Sequence, residues 1–213
     1  MSNPQPSTES IDLPSLVVEQ AELDALCARL AADEVIGVDT EYLTDRRFFP
    51  ELCLIQVGSD REQALIDPLA DLNLDPLADL LGPGGPVVVM HNAQADVPLL
   101  ARATGRPLGP VFDTMLGAGF LGAGELSLSA VVQRFLGITM EKGATLTDWS
   151  RRPLPEHALT YAVDDVAYLP ELWRRLATQL EAQGRMQWAS DEVGRVLARA
   201  MEPPDLSTAW RRL

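Results

Sequence analysis

Lysine is almost absent from this sequence: Lys142 is the single lysine among seventeen basic residues, and all the others are arginine. Against them stand thirty-one carboxylates, for a formal net charge of -14 over 213 residues. A chain so acidic cannot grip a polyanion by bulk electrostatics, so any nucleic-acid partner would need positive charge supplied locally. Cysteine is scarce too. Cys27 and Cys53 have no CxxC spacing, which excludes a disulfide scaffold and reads as two reduced core thiols of a cytoplasmic protein. No apolar run approaches the ~20 residues of a membrane-spanning helix. The opening "MSNPQPSTES" lacks the basic and apolar regions of a signal peptide, and residues 1–11 are expected to form a disordered tail. Internal repeats are missing as well. What remains, 46% hydrophobic and 23% charged, suffices for a sizeable core.

Hydrophobic periodicity predicts a helix over Leu16 to Ala32, with Leu23, Leu26, Cys27 and Leu30 on one face. "EVIGVDTEY" reads as a strand, and "LCLIQVGS" and "EQALIDP" as two more joined by a short turn, an antiparallel hairpin after the first strand. A short helix over Leu74 to Leu81 ends at "GPGGP", and "VVVMHN" has the β-branched run of a central buried strand. Helices are expected from Asp96 to Ala103, from about Met115 with Asp113 as its cap, and from Leu126 to Leu136. After the loop "GITMEKGATLTDWSRRPL", one long helix is expected from Pro155 to about Gln183, and a last one from Met186 to Met201. Strands first, then helices interleaved and trailing, point to a three-layer α/β domain with a mixed sheet.

One stretch conflicts with a purely structural reading. In "VIGVDTEY" the side chains alternate, so Asp39 and Glu41 share a face with Val35 and Gly37 while Thr40 lies opposite. Two carboxylates a few ångströms apart repel and raise each other's pKa. Further acids accumulate at the same rim. Asp96 in "HNAQAD" follows the strand "VVVMHN", and Tyr161 and Asp165 in "YAVDD" lie four apart on one helix face. Asp164 is turned about 100° from Asp165 and leaves that face. Four clustered acids cannot all stay ionised without compensation. Hard oxygen ligands suit Mg²⁺ or Mn²⁺, and two such ions ~3.5–4 Å apart clamp the attacking and leaving oxygens of a phosphodiester displacement.

In order, "VDTEY", "HNAQAD" and "YAVDD" resemble the three motifs of the DEDD exonuclease superfamily, and Tyr four residues before Asp resembles its tyrosine-bearing subgroup. "RRFFPELCLIQVG", "VFDTMLGAGFLG" and "TDWSRRPLPEHALTYAVDDVAYLPEL" are similar to the ribonuclease D family, a likeness covering roughly Leu16 to Leu180. The resemblance implies a ribonuclease H-like fold: α/β, three layers, a mixed central sheet flanked by helices. It implies a 3′→5′ exonuclease that hydrolyses RNA ends to nucleoside 5′-monophosphates with two divalent ions, Mg²⁺ or Mn²⁺. Asp39, Glu41, Asp96 and Asp165 would be the metal ligands, and Tyr161 would position the attacking water. Thr40, Asn92 and Lys142 would touch the substrate, a single-stranded RNA 3′ end such as that of a tRNA precursor.

The domain is expected over 12–184. Family members commonly continue into small helical domains after a segment like "STAWRRL", so 185–213 is expected to be a helical extension or linker instead. The loop "EKGATLTDW" departs from the family's usual "DKSxxRxDW" at Gly143 and Leu146, which bears on recruitment of the RNA strand. Two other readings stay open: a DNA-directed exonuclease using the same acids, and a non-catalytic nucleic-acid-binding module. The second usually loses an acid, and none is missing here.

Overall fold

The computed structural model describes residues 16–44, 48–140 and 147–202. Six strands form one sheet: β1 (Leu16–Val17), β2 (Val35–Leu43), β3 (Glu51–Gly58), β4 (Gln63–Ile66), β5 (Val87–Met90) and β6 (Val111–Asp113). Their order across the sheet is β1-β4-β3-β2-β5-β6. The hairpin pairs β2 with β3 and β3 with β4 are antiparallel, while β2–β5, β5–β6 and β1–β4 run parallel, so the sheet is mixed.

Alternation along β2 sorts the helices into two layers. Ile36 and Val38 face α1 (Gln20–Leu30), α2 (Asp75–Leu81) and α3 (Val97–Thr104), in a cluster with Leu23, Leu26, Leu30, Leu77, Leu81 and Leu100. Val35 faces the other way, toward α4 (Thr114–Phe120), α5 (Leu128–Leu136), α7 (Leu169–Ala182) and α8 (Met186–Ala200). On that same face, α6 (Glu156–Ala167) covers β3 and β4 with Ala158 and Ala162 against Leu54 and Leu65. The layers are helix, sheet, helix.

Two expected elements differ. The helix expected from Leu16 starts only at Gln20, because Leu16 and Val17 add a short parallel strand to the edge of β4, opposite Leu65 and Ile66. The single helix expected from Pro155 to Gln183 is two, α6 and α7, broken at Tyr168. Pro170 has no N–H to give the carbonyl of Val166 four residues earlier, so the helix cannot continue through it. The freed carbonyl accepts instead from the N–H of Tyr168. It also rests on two glycines that pair across β2 and β3, Gly37 and Gly58, where a Cβ would come within 2.8 and 3.0 Å of that oxygen. The kink and the glycine pair together let the α6–α7 junction lie flat on the sheet.

Beyond Glu41 the β2–β3 register slips: Glu41 faces Leu54, but Tyr42 faces Leu52, leaving Cys53 as the extra residue of a β-bulge. Adjacent Cys53 and Leu54 therefore enter the same core cluster, which strict alternation would forbid.

Candidate active site

Asp39 and Glu41 sit on β2 where it extends past its parallel neighbour β5, whose pairing stops at Gly37 with Val89. The last turn of α6 delivers Asp165 to the same place. Ligand oxygens of Asp39, Glu41 and Asp165 all lie within 4.8 Å of one another. Asp96 stands outside that triplet, at the N-cap of α3, buried, and accepts a 2.5 Å hydrogen bond from the Thr40 hydroxyl. Its charge nevertheless reaches Asp39 and Glu41. Thr40, on the opposite face of β2 as alternation requires, thus spends its hydroxyl on an acid rather than presenting it outward.

Among the described residues, no basic side chain forms an ion pair with any of the four acids. Burial and mutual repulsion dominate instead. Asp39 is pushed well above the ordinary carboxylate range by desolvation, then by Asp96, Asp165 and Glu41. Glu41 rises to about 8 by desolvation and the charges of Asp165 and Asp96. Desolvation lifts Asp165 to about 7 and Asp96 to about 6, while hydrogen bonds from Tyr161 and Thr40 respectively hold each lower than burial alone would. The donor set is all oxygen, clustered, and short of positive charge, which fits one or more hard divalent cations. Asp164 remains outside the triplet.

Tyr161 lies one turn before Asp165 on α6. Desolvation and the charges of Asp165 and Glu41 raise its pKa, so the phenol stays protonated and can orient a hydrogen-bonded group but not act as a base. Its ring packs on Trp149, with centroids 6.5 Å apart and planes tilted by 33°.

Several supporting residues escaped the sequence reading. Arg152 clamps the loop that carries Trp149: Nε and Nη2 donate to the two oxygens of buried Asp67 at 2.6 and 2.7 Å. Nη1 donates to the carbonyl of Trp149 and Nη2 to that of the bulged Cys53. The bulge, the loop and the ring behind Tyr161 are therefore one connected unit. On the other flank Asp113 caps α4 through Met115 N and Leu116 N, as expected, and also accepts from the backbone of Asn92 and Ala93. Asn92 takes a left-handed conformation (φ 64°), and its side-chain oxygen accepts from Gln94. His91 bridges Thr114 Oγ1 and the carbonyl of Leu126, both at 2.8 Å. These bonds fix the turn leading to Asp96. Lys142 lies outside the described residues, as do Gly143 and Leu146.

The chain as a whole is similar to known nucleases. A family model described as 3'-5' exonuclease matches residues 14–181. Among curated proteins, the chain is 39% identical over 201 residues to a ribonuclease D of Zymomonas mobilis, covering 93% of this chain and 52% of that protein. It is 36% identical to one of Sphingobium indicum, with the same shares. The crystal structure of Escherichia coli RNase D, described as an exoribonuclease involved in structured RNA processing, superposes with a TM-score of 0.86 at 30% identity, covering 93% of this chain and 53% of that one. The catalytic core of RRP6 from Trypanosoma brucei gives 0.79 at 25% identity, covering 91% and 54%. The chain spans about half the length of the curated relatives it matches.

Proposed function

Because the chain belongs to the 3′–5′ exonuclease family, we propose that it hydrolyses single-stranded RNA from the 3′ end, releasing nucleoside 5′-monophosphates, in the maturation of tRNA or other stable RNAs in the cytoplasm. The observation that carries this reading is the convergence of Asp39, Glu41 and Asp165 within 4.8 Å, beside Asp96 and the protonated hydroxyl of Tyr161. Asp39, Glu41, Asp96 and Asp165 would hold two divalent cations, Mg²⁺ or Mn²⁺. Such ions, when bound, activate a water and stabilise the charge that builds on the leaving oxygen. Tyr161 orients the attacking water by hydrogen bonding, its own placement secured by Trp149 and by its turn of α6. Thr40 holds the Asp96 carboxylate, and Asn92 begins the turn that presents it.

The acidic net charge would not oppose an RNA substrate, because cations held by these acids would supply positive charge where a phosphate must sit. Local features of the described surface also favour a single strand. Phe48 and Phe49 are exposed, Arg102 lies 3.5 Å over the Phe49 ring, and Arg199 lines the same groove of about 640 Å³. Among the described residues neither arginine has a carboxylate partner, and aromatic faces beside unpaired guanidinium groups suit unstacked bases and phosphates. Lys142 and the residues around it would follow the phosphate backbone. The catalytic unit would be 12–184, with 185–213 as an extension.

The test is a gel-resolved digestion of 3′- and 5′-labelled RNA, with and without Mn²⁺, beside matched DNA. A ladder shortening from the 3′ end, abolished by EDTA and by Asp39→Asn or Asp165→Asn, is the expected result. Full activity in either variant would sink the metal assignment, and a strong preference for DNA would sink the substrate.

A further inference from the structure

Gln56 occupies an unusual place. It sits in the middle of β3, directly across the antiparallel ladder from Asp39, so the two side chains leave the same face of the sheet. Opposed Cβ atoms in such a pair are about 4.5–5.5 Å apart. Its neighbours on that face are Leu54, clustered with Ala158 and Ala162, and Gly58, which lies against Val166. The amide is therefore covered by the turn of α6 that carries Asp165. It is 0% exposed, and neither Nε2 nor Oε1 has a hydrogen-bond partner. Among the described residues the only other buried side-chain atom in that condition is Thr147 Oγ1.

A buried amide without partners destabilises a fold, and an apolar side chain of equal size would fill the position better. The residue needs another explanation, and its surroundings offer one. An ionised carboxylate has about four lone-pair directions, so Asp39 can ligate a cation and still accept an N–H. Groups that orient a metal ligand in this way tune affinity strongly. We infer that Gln56 is a positioning residue for the metal centre, its Nε2 donating to the Asp39 carboxylate and holding it in the ligating orientation. This rests on the proposed metal-binding role of Asp39. The amide has three side-chain torsions with which to reach its neighbour, and Asp39 is the residue directly across the ladder from it.

The opposing reading makes Gln56 a structural amide serving only the packing under α6. The two separate cleanly on Gln56→Met, which keeps the length of the side chain and removes both polar atoms. Two quantities are measured on the whole chain: the melting temperature in EDTA, and the Mn²⁺ dissociation constant by calorimetric titration. A positioning role predicts a melting temperature in EDTA equal to or above wild type, with Mn²⁺ binding weakened about 10- to 100-fold. Unchanged Mn²⁺ affinity overturns the inference, whatever happens to melting. Gln56→Leu repeats the measurement should the Met variant not fold. Failure of both to fold also overturns it, since the amide would then be serving the fold itself. A wild-type chain that binds no Mn²⁺ would instead defeat the metal site as a whole, so the two failures are distinguishable.

Discussion

The acid cluster should make the metal-free protein lose stability as pH rises. At the outer separation of 4.8 Å between ligand oxygens and an effective dielectric constant of ~20, two unit charges repel by at least about 3.5 kcal/mol. Three such pairs among Asp39, Glu41 and Asp165 sum to about 10 kcal/mol, as much as the whole stability of an ordinary domain. The folded protein avoids this by keeping protons that the unfolded chain has released: desolvation, then the charges of Asp165 and Asp96, lift Glu41 to about 8, and desolvation lifts Asp165 to about 7. Between the unfolded carboxylate range near 4 and these raised values, the native state binds more protons than the unfolded one. Stability then falls with pH by about 1.4 kcal/mol per unit for each extra proton held. For a domain of this size that is about 3–6 °C in melting temperature per pH unit. Other groups set where to look. Glu62 and Asp148, lowered by Arg29 and by Ser150 respectively, contribute the opposite trend only under acid conditions. His91, kept neutral by burial, opposes it below about 6.5. The slope is therefore read between pH 6.5 and 8, by melting in EDTA. Millimolar Mn²⁺ should flatten it and raise the melting temperature more at pH 8 than at 6.5, and Glu41→Gln should reduce it in EDTA. A melting temperature in EDTA that is level or rises over this range would refute the reasoning.

Other perturbations follow from the same geometry. Tyr161→Phe removes one hydroxyl and should lower turnover by on the order of 10²-fold, with a melting temperature near wild type; the reverse pattern would make it a packing residue. Gly37→Ala places a Cβ 2.8 Å from Leu169 Cβ and from the Val166 carbonyl, which should cost about 1–3 kcal/mol. By shifting Asp165, it should also lower turnover about 10²-fold for a displacement near 1 Å. Gly119→Ala, whose Cβ meets nothing closer than 4.0 Å, is the matched control and should do neither. Arg152→Met strands the Asp67 carboxylate and should destabilise by about 3–5 kcal/mol in a denaturant melt, with Asp67→Asn in the same chain restoring part of the loss.

The parts legible in the sequence are those governed by local periodicity. Alternation along "VIGVDTEY" placed Asp39 and Glu41 on one face and Thr40 on the other, as found, and a spacing of four put Tyr161 and Asp165 on one side of α6. Asp113 could be read as a cap because an Asp between a strand and an apolar helix has a local reason to be there. Pro170 carries a legible helix-breaking signal too, masked by the continuous helical pattern on either side of it. What sequence could not supply were pairings across distance. Nothing local links Arg152 to Asp67, or tells that the bulge at Cys53 will present a carbonyl to the same guanidinium. Gln56 is the sharpest case. In "LCLIQVG" it reads as one polar residue in a strand, and only the ladder register and the cover of α6 show that it is enclosed beside an acid.

The distribution of arginine gives the acid cluster its meaning. Asp33, Asp60, Asp67, Asp75, Asp79, Glu62, Glu171 and Glu192 each sit against a guanidinium. Most of these pairs are exposed and contribute little to stability. Asp39, Glu41, Asp96 and Asp165 have no such partner among the described residues, although Asp67, as buried as Asp96, is held by Arg152. An arginine placed among Asp39, Glu41 and Asp165 would quench the repulsion, but it would also occupy the positions a divalent cation must take. The fold therefore tolerates a destabilising site, supports it with neutral groups only (Thr40 on Asp96, Tyr161 on Asp165), and relieves its charge by holding protons, which bound cations would replace. Protons and metal ions compete for the same oxygens, so the pH at which the metal-free fold weakens is also the pH at which cations bind best.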